Sequence, residues 1–214
     1  MSLNLHDLRI WRGDRPLISL SRSVAKGEVL TLMGPSGCGK STLLAGLIGA
    51  LPPVFRMQGQ IALNGRDITE LPTHARRISI LFQDDILFPH LSVGANLGFG
   101  LPRATRERAR VVDAALEDAG LAGYADRDPA TLSGGQRTRV ALMRALLSEP
   151  EALLLDEPFA KLDSELRAAM RRFVFERARA RALPVIMVTH DMEDATAAGG
   201  PIIALSSPRE DLDD

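Results

Sequence analysis

Short apolar runs bounded by turn residues recur along the chain: VLTLM (29–33), QIAL (60–63), ISILF (78–82), ALLLD (152–156), PVIMVT (184–189) and PIIAL (201–205). They are too short for helices and rich in branched side chains, so the pattern predicts strands. The runs at 29, 78, 152 and 184 are almost continuously apolar, as strands of a parallel sheet covered on both faces must be. Between them the periodicity changes to that of helices, at 40–50, 103–119, 135–148 and 163–182. This alternation predicts an α/β domain. The section from about 84 to 140 has helical pattern but no convincing strand and reads as a helical insertion. The first thirty residues read as antiparallel strands packed at one edge. In the helix LRAAMRRFVFERARARA (166–182), Phe173 and Ala180 are expected to face inward and the arginines to face water.

Composition narrows the class. The 214 residues suffice for one well-cored domain. A net charge of −1 gives no global basic field for nucleic acid or an anionic membrane. Cys38 is the sole cysteine, so no intrachain disulfide can form, which fits a reducing compartment. No apolar run reaches the roughly 18–20 residues of a membrane span, and the N-terminus lacks the apolar core of a signal peptide. The expected location is the cytosol, with any membrane role requiring a partner that spans.

The candidate chemistry begins at GPSGCGKST (34–42), which satisfies G-x-x-x-x-G-K-S/T at Gly34, Gly39, Lys40 and Ser41. A predicted strand precedes it and a predicted helix follows. Glycines let backbone N–H groups approach phosphate oxygens, and the helix start adds its positive end. Lys40 supplies a cation for the β- and γ-phosphates, and the Ser41 hydroxyl can ligate Mg²⁺. Cys38 reads as a small loop residue. At the end of a buried strand, Asp156 and Glu157 place two carboxylates where burial is costly without a cation or polar ligand. Asp156 suits a metal and Glu157 an attacking water. His190 ends another strand, on the side where open α/β sheets bind ligands. Gln83 follows ISILF in a similar place. From spacing alone, a polar turn or sheet-capping role is favoured over a catalytic one for both His190 and Gln83.

A second phosphate site is suggested by LSGGQ (132–136). Ser133 and Gln136 form an S-x-x-Q capping box, and Val140, Met143 and Leu147 form the buried stripe of the following helix. A capping box does not require glycine at both intervening positions. Gly134 and Gly135 leave a bare helix tip that can press N–H groups onto an anion. Either one chain binds two anions, or two copies share one nucleotide in a two-fold dimer.

In this order, GPSGCGKST, Gln83, LSGGQ, LLLDEP and VTHD resemble the ATP-binding cassette of an ABC transporter, from about Leu8 to Ser206. The resemblance implies a P-loop NTPase fold: a RecA-like core with an antiparallel β edge (1–83 and 141–206), a helical subdomain (84–140) and a tail (207–214). It implies a head-to-tail dimer with ATP and Mg²⁺ at the interface. Gly34, Ser36, Gly37, Cys38, Gly39, Lys40, Ser41 and Thr42 would then cradle phosphate. Ser41, Gln83 and Asp156 would serve the metal, Glu157 would be the base and His190 the switch. Ser133, Gly134, Gly135 and Gln136 would reach the other chain's nucleotide. Trp11 matches the adenine-stacking position, though an edge-packing role is the alternative. The stretch DDILFPHLSVGANLGFGL (84–101) resembles the importer branch, whose cassettes take membrane permease subunits on that face and serve an extracytoplasmic solute-binding protein indirectly. The implied function is a peripheral ATPase on the cytoplasmic face, importing a small ion or nutrient, with no nucleic acid bound. An exporter or lipid-releasing ATPase, and a soluble cassette acting on ribosomes or DNA, are the alternatives. Two departures stand out: the chain stops soon after SSPREDLDD, where many such cassettes continue into a regulatory β-domain, and Ala160 replaces the family's usual serine.

Overall fold

The computed structural model describes residues 1–82, 87–160 and 162–205. The chain opens with two long strands, β1 (Ser2–Arg12) and β2 (Arg15–Ala25), then β3 (Val29–Met33) and helix α1 (Lys40–Leu47). Next come β4 (Phe55–Leu63), β5 (Arg66–Asp67) and β6 (Ile78–Leu81), followed by α2 (Val93–Gly100), α3 (Arg108–Asp118) and α4 (Gly134–Leu147). Then β7 (Ala152–Asp156), α5 (Ser164–Ala180), β8 (Val185–Thr189), α6 (Met192–Ala198) and β9 (Ile202–Ala204) complete the described chain.

Two sheets result. An antiparallel sheet has the order β2-β1-β4-β5, and a five-stranded parallel sheet has the order β6-β7-β8-β3-β9. The N-terminal strands are antiparallel, as their sequence suggests. The run 60–63 is the end of the longer β4, paired with β1 outside the parallel sheet.

The continuous apolar runs behave as two-faced strands. On β7, Leu153 and Leu155 enter one core cluster, while Ala152 and Leu154 enter a second on the opposite face. On β8, Val185 and Met187 divide from Ile186 and Val188 in the same way. This is the period-two alternation of a strand, with apolar residues on both sides because both sides are covered. The first cluster packs the sheet against α3, α4 and α5; the second packs it against α1 and the antiparallel sheet. Each large aliphatic side chain buried in this way contributes about 1.5–3 kcal/mol.

Helix boundaries shift where local chemistry dictates. The helix expected at 103–119 starts at Arg108. Helix α5 turns Met170, Val174, Phe175 and Ala178 inward. Phe173 is half-buried against the same cluster, but Ala180 faces solvent. Positions 170, 174 and 178 are spaced by four, and Ala180 falls off that stripe. Helices α2 and α6, of eight and seven residues, are too short for their periodicity to stand out in the sequence.

One buried cation joins the layers. Arg76, 4 % exposed, donates from Nη1 to the carbonyls of Gly46 (3.1 Å) and Leu47 (2.9 Å) at the end of α1. Its Nε donates to Leu71 O at 2.7 Å, and its Nη2 to Thr69 O. A cation at a helix C-terminus meets the negative end of the helix dipole as well as carbonyls lacking partners.

Candidate nucleotide site

The site is built on the carboxyl ends of β3, β7 and β8. Parallel pairing aligns Met33 with Thr189 and Asp156 with Val188, so the chain leaves all three strands at one edge. From β3 the loop 34–39 leads into α1. Gly39 caps α1 with φ 96°, in the left-handed region, and a Cβ there would meet Ile18 Cδ1 at 3.0 Å. Both facts favour glycine. Lys40, 7 % exposed, curls back into the loop, and Nζ donates to Gly34 O (2.7 Å) and Pro35 O (2.9 Å). Its ammonium thus sits inside the ring of backbone from which phosphate would be gripped. Ser36 and Gly37 are exposed, and Thr42 is half-buried. The Cys38 side chain is fully buried, so that residue offers a ligand only its backbone.

Ser41 donates its hydroxyl to Asp156 Oδ1 at 3.3 Å. Burial raises the Asp156 carboxyl above its ordinary range, only partly offset by the Ser41 hydrogen bond. An oxygen pair so placed, with one carboxylate pushed toward neutrality, is relieved by a hard cation. The donor set fits Mg²⁺, which takes few protein oxygens and keeps phosphate and water as its other ligands. Among the described residues no cluster of three or more His, Cys, Asp or Glu could hold a metal alone.

Glu157 follows immediately. Its N–H donates to Val188 O at 3.0 Å, and its φ of 44° turns the chain sharply out of β7. The side chain is thereby brought to His190, with Oε1 3.2 Å from Nδ1. Glu157 is largely buried, whereas His190 is 64 % exposed. The structure therefore brings Lys40, Ser41, Asp156, Glu157 and His190 to one edge. Gln83 lies outside the described residues.

Trp11 lies on β1, paired with Pro16 and Arg56. It is half-buried, with the Arg56 guanidinium 4.7 Å from its ring centroid. Ile18, which would lie 3.0 Å from a Cβ at Gly39, pairs with Ile10, the residue before Trp11.

The second predicted phosphate site forms the tip of α4. Both halves of the capping box are present: Ser133 N–H donates to Gln136 Oε1 at 2.9 Å, and Gln136 N–H to Ser133 Oγ at 3.3 Å. The two glycines separate in role. A Cβ at Gly134 would meet nothing within 4 Å. A Cβ at Gly135 would approach Leu166 Cδ2 to 2.1 Å, so a larger residue there would have to push the end of that α5 side chain aside. That contact concerns the missing side chain alone and leaves untouched the expectation that both glycines offer backbone N–H groups to an anion.

Sequence reasoning missed two side-chain groups. Arg167 and Asp191 form an ion pair of 2.7 Å beside His190. On the far side of α4, Phe82, Phe88, Phe99, Ala141, Arg144 and Ala145 line an open apolar groove. A DMED sequence could have signalled Asp191 as a helix cap, but its arginine partner lies 24 residues away. The groove draws on three separate segments, which no local pattern links.

A sequence model of the ABC transporter family matches residues 17–160. The chain is 54 % identical over 185 residues to the uncharacterized ABC transporter ATP-binding protein YnjD of Escherichia coli K12, covering 86 % of this chain and 85 % of that one. It is 47 % identical to the thiamine import ATP-binding protein ThiQ of Cereibacter sphaeroides, over 90 % of this chain and 83 % of ThiQ. It is 46 % identical to the Fe(3+) ions import ATP-binding protein FbpC 3 of Rhodococcus jostii, over 87 % of this chain but only 54 % of that relative. With the phosphate loop, the capped glycine helix and the carboxylate edge assembled on this fold, the chain belongs to the ABC transporter family, as one of its ATPases.

Proposed function

We infer that this chain hydrolyses ATP to drive import of a small ion or nutrient, as a peripheral subunit on the cytoplasmic face of a membrane. The observation that carries the hydrolytic part is the Glu157–His190 contact at the edge that also bears Lys40 and Asp156. In this reading the loop N–H groups, the N-terminus of α1 and Lys40 hold the β- and γ-phosphates. Ser41 and Asp156 would hold Mg²⁺, which would supply positive charge to the phosphate oxygens. Glu157 accepts a proton from water as the water oxygen bonds to the γ-phosphorus and the bond to the bridging oxygen breaks. His190, with its proton on Nδ1, orients the Glu157 carboxylate and presents its other nitrogen to the γ-phosphate side. Gln83, after β6, is assigned to the metal and the attacking water. Trp11 stacks on the purine.

The import assignment rests on the relatives, whose names specify thiamine and iron import. Among the described residues no helix is long and apolar enough to cross a membrane, so spanning is assigned to permease partners, with a solute-binding protein acting through them. The groove beside α4 is the docking surface assigned to the permease. Phe99 and Phe82 stand 67 % and 42 % exposed there, which is unusual for aromatic side chains without a partner.

The nucleotide is shared between two copies in this proposal, with Ser133, Gly134, Gly135 and Gln136 of one facing the phosphate loop of the other. A mixing experiment tests both sharing and hydrolysis. Lys40→Ala and Gly134→Asp are each inactive alone. Mixed, they form dimers in which one site keeps both intact halves, so ATPase activity returns to about a quarter of wild type for random pairing. A mixture as inactive as its components refutes sharing.

A further inference from the structure

Arg167 occupies the start of α5 and touches two different loops. Its Nη1 donates to Asp191 Oδ2 at 2.7 Å, and its Nη2 donates to Leu162 O at 3.4 Å. Leu162 lies in the segment that leaves Glu157 and reaches Asp163, the N-cap of α5. Asp191 is the N-cap of α6 and follows His190 directly. Its other oxygen, Oδ1, accepts the N–H groups of Glu193 (2.7 Å) and Asp194 (3.3 Å). Its own N–H donates to Thr189 Oγ1 at 3.0 Å, and that hydroxyl donates to Asp194 Oδ2 at 3.3 Å. Both neighbours of His190 are therefore pinned, although the imidazole itself is mostly in solvent.

One turn further along α5, Arg171 performs a different task. It pairs with Asp194 at 2.5 Å and with Glu193 at 3.2 Å, and stands 3.9 Å from Asp191 Oδ1, fixing α6 to α5. The Asp194 side chain is only 3 % exposed, and this contact belongs to the packed interior of the helix pair. Arg167 and Asp191 are each 24 % exposed, so this pair stands nearer to solvent than the Arg171–Asp194 contact. What Arg167 does uniquely is connect the backbone after Glu157 to the backbone after His190.

We propose that Arg167 is a positioning residue for ATP hydrolysis: by bridging Leu162 O and Asp191 it holds His190 in register with Glu157. The inference rests on the assignment of Glu157 and His190 to hydrolysis. The Glu157–His190 contact spans two strands, whose backbone link, Glu157 N–H to Val188 O, lies before His190 and leaves the turn after it to be held by Asp191. Through the guanidinium, the position of Leu162 is coupled to the His190 turn. A displacement of about 1 Å at such a contact is enough to lower turnover up to about a hundredfold.

The test uses Arg167→Gln, Asp191→Asn, the double variant and Arg167→Lys. Asparagine at 191 keeps the oxygen that caps α6. Both single variants lower kcat roughly ten- to a hundredfold with KM for ATP unchanged within about twofold. The double variant falls no lower than the weaker single, because both singles break one connection. Lysine, which reaches only one acceptor at a time, restores part of kcat. If Arg167→Gln does not fold, Asp191→Asn alone carries the kcat test. A wild-type kcat in the single variants, or losses that multiply in the double, overturns the proposal. Wild-type protein without ATP turnover refutes the hydrolytic assignment beneath it, whereas an active wild type with an equally active Arg167→Gln refutes only the bridge.

Discussion

Glu157 Oε1 and His190 Nδ1 meet at 3.2 Å because the first residue after β7 leaves its strand with φ 44°, while the first residue after β8 continues straight into a capped turn. A β-region backbone at Glu157 would send its side chain to the opposite face of the strand. The left-handed turn costs of order 1 kcal/mol for a residue with a Cβ. Its return is a carboxylate beside, and not beneath, the Asp156 carboxylate. The two acids thereby face different partners, Ser41 and His190.

Glu157→Gln removes the proton acceptor while keeping shape. Turnover is expected to fall by roughly a hundredfold or more, with ATP affinity retained and dimers accumulating in ATP. Light scattering at saturating ATP reads the association, and a monomer there contradicts the shared site. His190→Ala lowers kcat without weakening nucleotide binding.

The two glycines at the tip of α4 separate experimentally. Gly135→Ala forces Leu166 aside and lowers stability by about 1–2 kcal/mol, after allowing for the better helix propensity of alanine. Gly134→Ala, with open space around it, leaves stability equal or up to about 1 kcal/mol higher. It nonetheless reduces ATPase activity by standing between the helix tip and phosphate. Urea midpoints and kcat measured on the same preparations distinguish the two; a Gly134→Ala enzyme of full activity removes the tip from the site.

Asp191 gives a pH signature. Burial would raise its carboxyl, but hydrogen bonds from the Glu193 and Asp194 N–H groups and the charges of Arg167 and Arg171 outweigh that and hold it below its ordinary value. The folded state then binds fewer protons than the unfolded chain near pH 4, so this group's stabilisation is complete above the unfolded value of about 3.9 and disappears as pH falls through the folded value. The urea midpoint of the wild type should exceed that of Asp191→Asn at pH 7, and the gap should close below about pH 4. A gap constant with pH would show that the carboxylate charge contributes nothing.

At the groove, Phe99→Ser and Phe82→Ser should leave the ATPase activity and melting temperature of the isolated chain unchanged, since both rings are substantially exposed. Binding to the permease subunits should weaken tenfold or more if these rings are central anchors. Co-purification from membranes and the ATPase response to permease provide the readout. Full retention of both places the docking surface elsewhere.

The elements with one dominant local cause were legible in the sequence. The apolar runs at 29–33 and 152–156 became two-faced parallel strands, and Ser133 and Gln136 formed their capping box. What escaped depends on contacts distant in the chain. The packing of Gly135 against Leu166, 31 residues on, is one such contact. Ala180 was placed inward by extending a stripe that Met170, Val174 and Ala178 define two positions away. The Arg167–Asp191 pair joins two helix starts whose proximity follows only from the parallel pairing of β7 with β8.

Arg76 has a mechanical consequence. A helix tip that attracts an anion is itself drawn forward, and an unsecured helix would spend part of that attraction on its own displacement. The guanidinium grips the rear of α1, about 10 Å behind its first residue, through the carbonyls of Gly46 and Leu47. That anchor opposes displacement of the helix, so more of the pull would go into holding the triphosphate tail. Loosening that rear anchor would weaken the hold on nucleotide from a place the nucleotide never touches.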